Sequence, residues 1–116
     1  MILVVDSDEV FGECVVSNLE KNNFSGHLSK NAIEAINYIA DTVPSLVILD
    51  PILTGPDGFT FLNEMASYAD TLSIPIILIS EKDFSSYDLS EYNVVEILDK
   101  NKVKPKEILD CARKYA

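Results

Sequence analysis

Four short, mostly apolar runs in this sequence end in side chains that carry a charge or a hydroxyl. Ile2 to Val5 runs into Asp6-Ser7-Asp8-Glu9, Leu46 to Leu49 into Asp50, Ile74 to Ile79 into Ser80-Glu81, and Val94 to Leu98 into Asp99-Lys100. Any one of these is an ordinary polar strand end. Together they offer a carboxylate able to act as a nucleophile, a second carboxylate, a hydroxyl and an ammonium. Carboxylates gathered in a small cleft repel by about 4 kcal/mol per pair at 4 Å and an effective dielectric near 20. A hard divalent cation with oxygen ligands relieves that repulsion, and Mg²⁺ is the usual one where phosphate is handled. The residue types therefore point to phosphoryl chemistry assisted by a cation.

These residues can meet only if the runs are neighbouring strands that end at one edge. Continuous apolar runs bounded by turn residues fit strands buried on both faces, as in a parallel sheet. Between them lie helical patterns. Phe11, Cys14, Val15 and Leu19 predict a helix from Asp8 to Lys21, stopped by Asn22-Asn23. Phe24 to Ser29 is a weak edge strand, and its His27, the sole histidine, reads as exposed. Asn31 caps a helix with Ile33, Ile36, Ile39 and Ala40 on its buried stripe. Phe59, Leu62, Met65, Ala66 and Ala69 predict a third helix, and Phe84 to Tyr92 a short, poorly amphipathic fourth. Pro105 opens a fifth, with Ile108, Leu109, Ala112 and Tyr115 inward. Five βα units with right-handed crossovers make a three-layer, doubly wound α/β fold with a five-stranded parallel sheet, in which chemistry gathers at the carboxyl ends of the strands.

A chain of 116 residues suits one domain, here 1–116, with one core. Its net charge of −10 argues against direct nucleic-acid binding and against anionic membrane surfaces. No apolar run approaches a membrane span and no leader precedes the first strand, so a cytoplasmic protein is expected. Cys14 and Cys111 read as buried thiols, not as a metal site or a disulfide framework.

Over essentially its whole length the chain resembles the receiver domain of two-component response regulators. The most specific match is Asp50 followed, seven and eight positions later, by Asp57-Gly58. The resemblance implies the flavodoxin-like strand order 2-1-3-4-5. It makes Asp50 the phosphoacceptor, taking its phosphoryl group from a sensor histidine kinase or phosphotransfer protein. It puts Ser80 and Lys100 at the hydroxyl and lysine positions of the site, and Asp6, Asp50 and the Ile52 backbone carbonyl around Mg²⁺. Such a domain signals to an output domain or a separate protein target and is not itself an enzyme, beyond slow loss of its own phosphoryl group. The chain reads either as a stand-alone regulator or as a receiver taken from a longer protein. A partner would dock on helix four, strand five and helix five, where Tyr87 and Tyr92 are candidate contacts or partly buried structural tyrosines.

Several positions depart from the family pattern. Ser7 stands where a second metal-binding acid is usual, so weaker Mg²⁺ binding is expected. Thr54 and Asn101 replace prolines, and Ile97 replaces the aromatic residue of strand five whose rotation reports phosphorylation. The stretch between Ser80 and Lys100 is a couple of residues short. Other readings stay open. Asp6-Ser7-Asp8-Glu9-Val10 is similar to the nucleophile motif of haloacid-dehalogenase-like phosphatases, with Asp6 as nucleophile and Asp8 as general acid. That reading lacks the further acids such enzymes carry after the lysine, and it leaves Asp50 to Gly58 unexplained. A receiver-like module working by contacts without phosphorylation is the other. A flavin-binding domain fits less well, because acids after strand one repel a phosphate.

Overall fold

Three of the five strands bury every side chain they have. In the computed structural model, which describes residues 1–116, β1 (Ile2–Val5), β3 (Leu46–Leu49) and β4 (Ile76–Ser80) are buried throughout. Residues alternate between the two faces of a strand, so each apolar run fills two cores at once. Leu3, Val5, Val47, Leu49 and Leu78 face one core, and Ile2, Val4, Ile48, Ile77 and Ile79 the other. The edge strands β2 (Gly26–Ser29) and β5 (Val94–Asp99) are only partly covered. All neighbours are parallel and the order is β2-β1-β3-β4-β5, as the resemblance implies.

The helices α1 (Glu9–Lys21) and α5 (Pro105–Tyr115) lie on one face; α2 (Ala32–Asp41) and α3 (Gly58–Ala66) lie on the other. Local chemistry sets their ends. The Asp8 carboxylate accepts the Phe11 N–H at 3.1 Å, Asn31 accepts the Glu34 N–H at 2.8 Å, and Asp57 accepts the N–H groups of Phe59 and Thr60. Asn23, at φ 69°, turns the chain out of α1.

Four expectations are corrected. The Phe84–Tyr92 stretch forms turns instead of a helix. Its acids take local backbone bonds that compete with a helix: Asp83 accepts the Ser85 N–H at 2.8 Å, and Asp88 accepts both the N–H and the hydroxyl of Ser90. The third helix ends at Ala66, and a separate single turn, α4 (Ala69–Leu72), follows with Ala69 exposed. Cys14 is exposed and only Cys111 is buried, because Gly12, Val15 and Leu19 carry the inward stripe of α1. Ile33 points outward at 52% exposure, since Ala32 and Ala35 are the residues that let α2 approach the sheet.

Gly58 holds α3 close to the end of β3. A Cβ there would stand 2.4 Å from the Pro51 Cα, which is backbone and cannot yield cheaply. Gly58→Ala is therefore expected to lose about 2 kcal/mol of stability, as overpacking does, read from urea unfolding midpoints. A cost no larger than that of a surface substitution would contradict the close approach.

Candidate functional site

The hydrogen bonds of the sheet bring four sequence-predicted residues to one edge. The Asp6 N–H donates to the Ser29 carbonyl at 3.0 Å, the Asp50 N–H to the Val5 carbonyl at 3.0 Å, and the Lys100 N–H to the Ser80 carbonyl at 2.9 Å. Asp6 and Asp50 thus follow β1 and β3 side by side, while Ser80 ends β4 opposite Asp99.

Lys100 then reaches back between the two acids. Its Nζ lies 2.9 Å from Asp6 Oδ2, 3.1 Å from Asp6 Oδ1 and 2.9 Å from Asp50 Oδ2. Side-chain exposures of 9% for Lys100, 4% for Asp6 and 8% for Asp50 place this ion triad largely out of water. The other carboxylate oxygens are used as well: Asp6 Oδ1 accepts the Asp8 N–H at 2.8 Å, and Asp50 Oδ1 accepts the Ile52 N–H at 2.9 Å. The Phe11 ring covers the ammonium from 4.6 Å, a contact the sequence reading missed by treating Phe11 as core alone.

Burial pushes the Asp6 carboxyl above its ordinary 3.8, against the opposing pull of Lys100. Burial works against the Lys100 ammonium, but its bonds to Asp6 and Asp50 outweigh that, and it titrates above its ordinary 10.5. One ammonium shared by two carboxylates leaves a net negative site.

Ser7 does not face this triad. Its hydroxyl donates to the Lys30 carbonyl at 2.9 Å and accepts the Thr54 N–H at 3.0 Å, with Thr54 Oγ1 at 3.3 Å. It ties together the loops after β1, β2 and β3. The roles of Lys30 and Thr54 in this knot had no signal in the sequence, since Lys30 bonds through its carbonyl and Thr54 through its N–H as well as its hydroxyl. Ser80 Oγ, in a residue 4% exposed, accepts the Lys82 N–H at 3.2 Å. His27 is outside the site and half-buried, its ring stacked on Tyr38 at 3.9 Å. Asp8 serves as the α1 cap. Tyr87 and Tyr92 join Phe59 and Phe84 in an aromatic cluster beside α3.

No group of three or more Asp, Glu, His or Cys side chains converges to hold a metal. Two adjacent carboxylates with a negative remainder still fit Mg²⁺, which commonly takes one or two carboxylates and keeps several waters. The Ile52 carbonyl, free of any hydrogen bond within the protein, is a further oxygen of the right kind. The residues present therefore suit the ion, with one anionic ligand fewer than an acid at Ser7 would give.

A family model described as the response regulator receiver domain matches residues 2–113. Response regulator MprA of Mycobacterium sp. strain KMS is 33% identical over 82 residues, which are 71% of this chain and 35% of that protein. The chain thus spans about a third of the length of the curated relatives it matches. Among solved structures, the receiver domain of NtrX from Brucella abortus is 24% identical with a TM-score of 0.85, over 98% of this chain and 96% of that one. The receiver domain of sensor histidine kinase PA1611 from Pseudomonas aeruginosa PAO1, solved with a magnesium ion coordinated in the active site cleft, is 19% identical with a TM-score of 0.82, over 98% and 94%. At these identities both structures bear on the fold alone.

Lys100→Met removes the one cation between two buried acids. The expected loss is about 3 kcal/mol at neutral pH, the lower end for breaking a buried pair. A folded carboxyl raised above its unfolded value binds protons more tightly than the unfolded chain, so ionising it removes stability as pH rises past 3.8. Without Lys100 that cost grows, and the gap between variant and wild type should narrow on acidification toward the carboxylate range. In the wild type, the Lys100 contribution is fully present below 10.5 and is lost as pH rises through the higher folded value. Urea unfolding across pH reads both; a gap independent of pH would mean that the triad is not the source.

Proposed function

The chain belongs to the response regulator receiver domain family, and from that premise we propose that Asp50 is its phosphoacceptor. Receiver domains of this family serve two-component systems. The observation that carries the assignment is the Lys100 ammonium held 2.9 Å from Asp50 Oδ2 and from Asp6 Oδ2. It holds the Asp50 carboxylate in place, and it stands ready for the charge that arrives with a phosphoryl group.

In this reading the donor is a phosphohistidine on a sensor kinase or phosphotransfer protein. An Asp50 carboxylate oxygen attacks phosphorus in line, the P–N bond breaks, and its electron pair leaves with the imidazole. Phosphoryl transfer depends on positioning and neutralisation more than on covalent help. Asp6, Asp50 and the Ile52 carbonyl would hold Mg²⁺, which would supply part of that neutralisation. Lys100 supplies the rest, keeping its bonds to Asp6 as Asp50 Oδ2 gives up negative charge. Because Ser7 is committed to Lys30 and Thr54, the ion is held more weakly than beside an acid.

The Ser80 hydroxyl can donate to a phosphoryl oxygen only once one is attached. Turning toward it disturbs the bond from the Lys82 N–H at 3.2 Å. The Lys82 ammonium lies 5.2 Å from the Tyr87 ring and 5.5 Å from the Phe84 ring. The aromatic turns between β4 and β5 are therefore the element that the added charge, about −1.5 to −2, would bias. Ile97, 39% exposed on β5, has no ring to report the change. The domain acts in the cytoplasm through protein contacts, with a downstream target or an output domain, and turns over no substrate beyond slow loss of its own phosphoryl group. A second reading, signalling by contacts without phosphorylation, is favoured by one observation: Lys100 already pairs with both acids internally.

Intact mass after incubation with acetyl phosphate and Mg²⁺ is expected to show one phosphoryl adduct, absent in Asp50→Asn and present in Ser7→Asp. An adduct lost only in Asp6→Asn would overturn the assignment; no adduct from acetyl phosphate or from a phosphohistidine donor would favour the second reading. In a Mg²⁺ titration, Ser7→Asp should bind at least about tenfold more tightly than wild type, since each 1.4 kcal/mol is a factor of ten and one added anionic ligand exceeds that. Equal affinities would remove Ser7 as the cause of weak binding.

A further inference from the structure

Between Lys30 and Lys82 the chain has no Lys, Arg or His, yet it has seven acids. This stretch builds α2, α3 and α4, so the helical layer on that face of the sheet carries negative charge alone. The same face holds an open apolar groove of about 320 Å³ between α2 and α3–α4. Ile36, Ile39, Phe61 and Met65 line it, together with Val43 and Tyr68, which are 56% and 58% exposed. Thr71 also lines it, but its hydroxyl is spent on the Met65 carbonyl at 2.6 Å, so it makes no polar demand there. Glu64 and Asp70 are the charged groups on the lining, both exposed.

We propose that this groove is a docking surface for a basic amphipathic helix of a partner protein. An apolar trough with acidic edges matches a helix whose apolar stripe seats in the trough while flanking Lys or Arg meet the edge carboxylates. The lining lies at the ends of α2 and α3 that precede β3 and β4, at the amino edge of the sheet. It is thus opposite the Asp50 edge, and a partner seated there leaves the phosphorylation cleft open. The chain's own lysine-rich segment, Lys100 to Lys106, is a poor occupant, because α5 turns Ile108, Leu109 and Ala112 into the core and has no free apolar stripe.

The probe is a fluorescein-labelled peptide of Leu and Lys at helical spacing, with a Leu and Glu peptide as its counterpart, titrated by anisotropy against the full chain. The Lys peptide should bind, weaken with salt and outcompete the Glu peptide. Glu64→Lys/Asp70→Lys should bind it at least about tenfold more weakly, and Val43→Ser/Tyr68→Ser should also weaken it with the charges intact. Glu13→Lys/Glu20→Lys, the same charge change on exposed sites of α1, should leave binding unchanged. Equal loss in both charge variants would reduce the effect to general attraction by a chain of net charge −10 and overturn the proposal. Unchanged binding in Val43→Ser/Tyr68→Ser would remove the groove as its seat. Self-association of the chain alone in sedimentation, abolished by Glu64→Lys/Asp70→Lys, would make a second copy the occupant and overturn it as well.

Discussion

Two carboxylates held beside one another, mostly out of water, are stable only because Lys100 stands between them. Everything else about the carboxyl edge follows from that ion triad. It requires β1 and β3 to be adjacent and in register, so that Asp6 and Asp50 emerge together. It requires β5 to end where its lysine can fold back, which the bond between the Lys100 N–H and the Ser80 carbonyl enforces. It also requires a lid, and the Phe11 ring of α1 provides one. The triad carries one negative charge in excess, so the edge suits a cation, and under the proposed reading an acyl phosphate on Asp50 would be held by the same lysine.

The fold meets these demands with short strands that work twice. Each fully buried run feeds alternate residues to the α1–α5 core and to the α2–α3 core. A polar residue can appear only where a run ends, which is why Asp6, Asp50 and Ser80 all sit there. Ser7 shows the alternative to a third acid. Its hydroxyl spends its hydrogen-bonding capacity on Lys30 and Thr54 and holds three loops by neutral bonds.

Much of this was legible in the sequence, because parallel-sheet strands announce themselves as uninterrupted apolar runs and because a helix cap such as Asn31 is a local signal. The parallel sheet, the four edge residues and the ends of α1 needed nothing more; the strand order came from the resemblance to receiver domains. The segment after Ser80 was misread for a physical reason: Phe84, Tyr87 and Tyr92 recur at near-helical spacing, but Asp83 and Asp88 bind the amides two residues on and hold turns instead. Spacing reports which residues are inward; it does not report which backbone competes. Ile33 and Cys14 failed in the other direction, since close helix–sheet approach selected Ala32, Ala35 and Gly12 for the inward positions, where small size and not hydrophobicity decides. The knot at Ser7 was illegible because its shortest bonds, to the Lys30 carbonyl and from the Thr54 N–H, involve main-chain atoms.

The turns between β4 and β5 have a thermodynamic consequence. Local opening is cheapest where amides are held by exposed side chains and few buried apolar contacts. Among Asp83 to Ser90 only Phe84 is fully buried, at 2% exposure. This stretch is therefore a low-stability unit held to the core by the Phe84 ring and the partly buried Leu89, and its population of open states rises or falls with how firmly those two side chains are seated. The domain keeps this segment directly after Ser80 at the carboxyl edge of the sheet, so a change worth only a fraction of the global unfolding free energy suffices to open it.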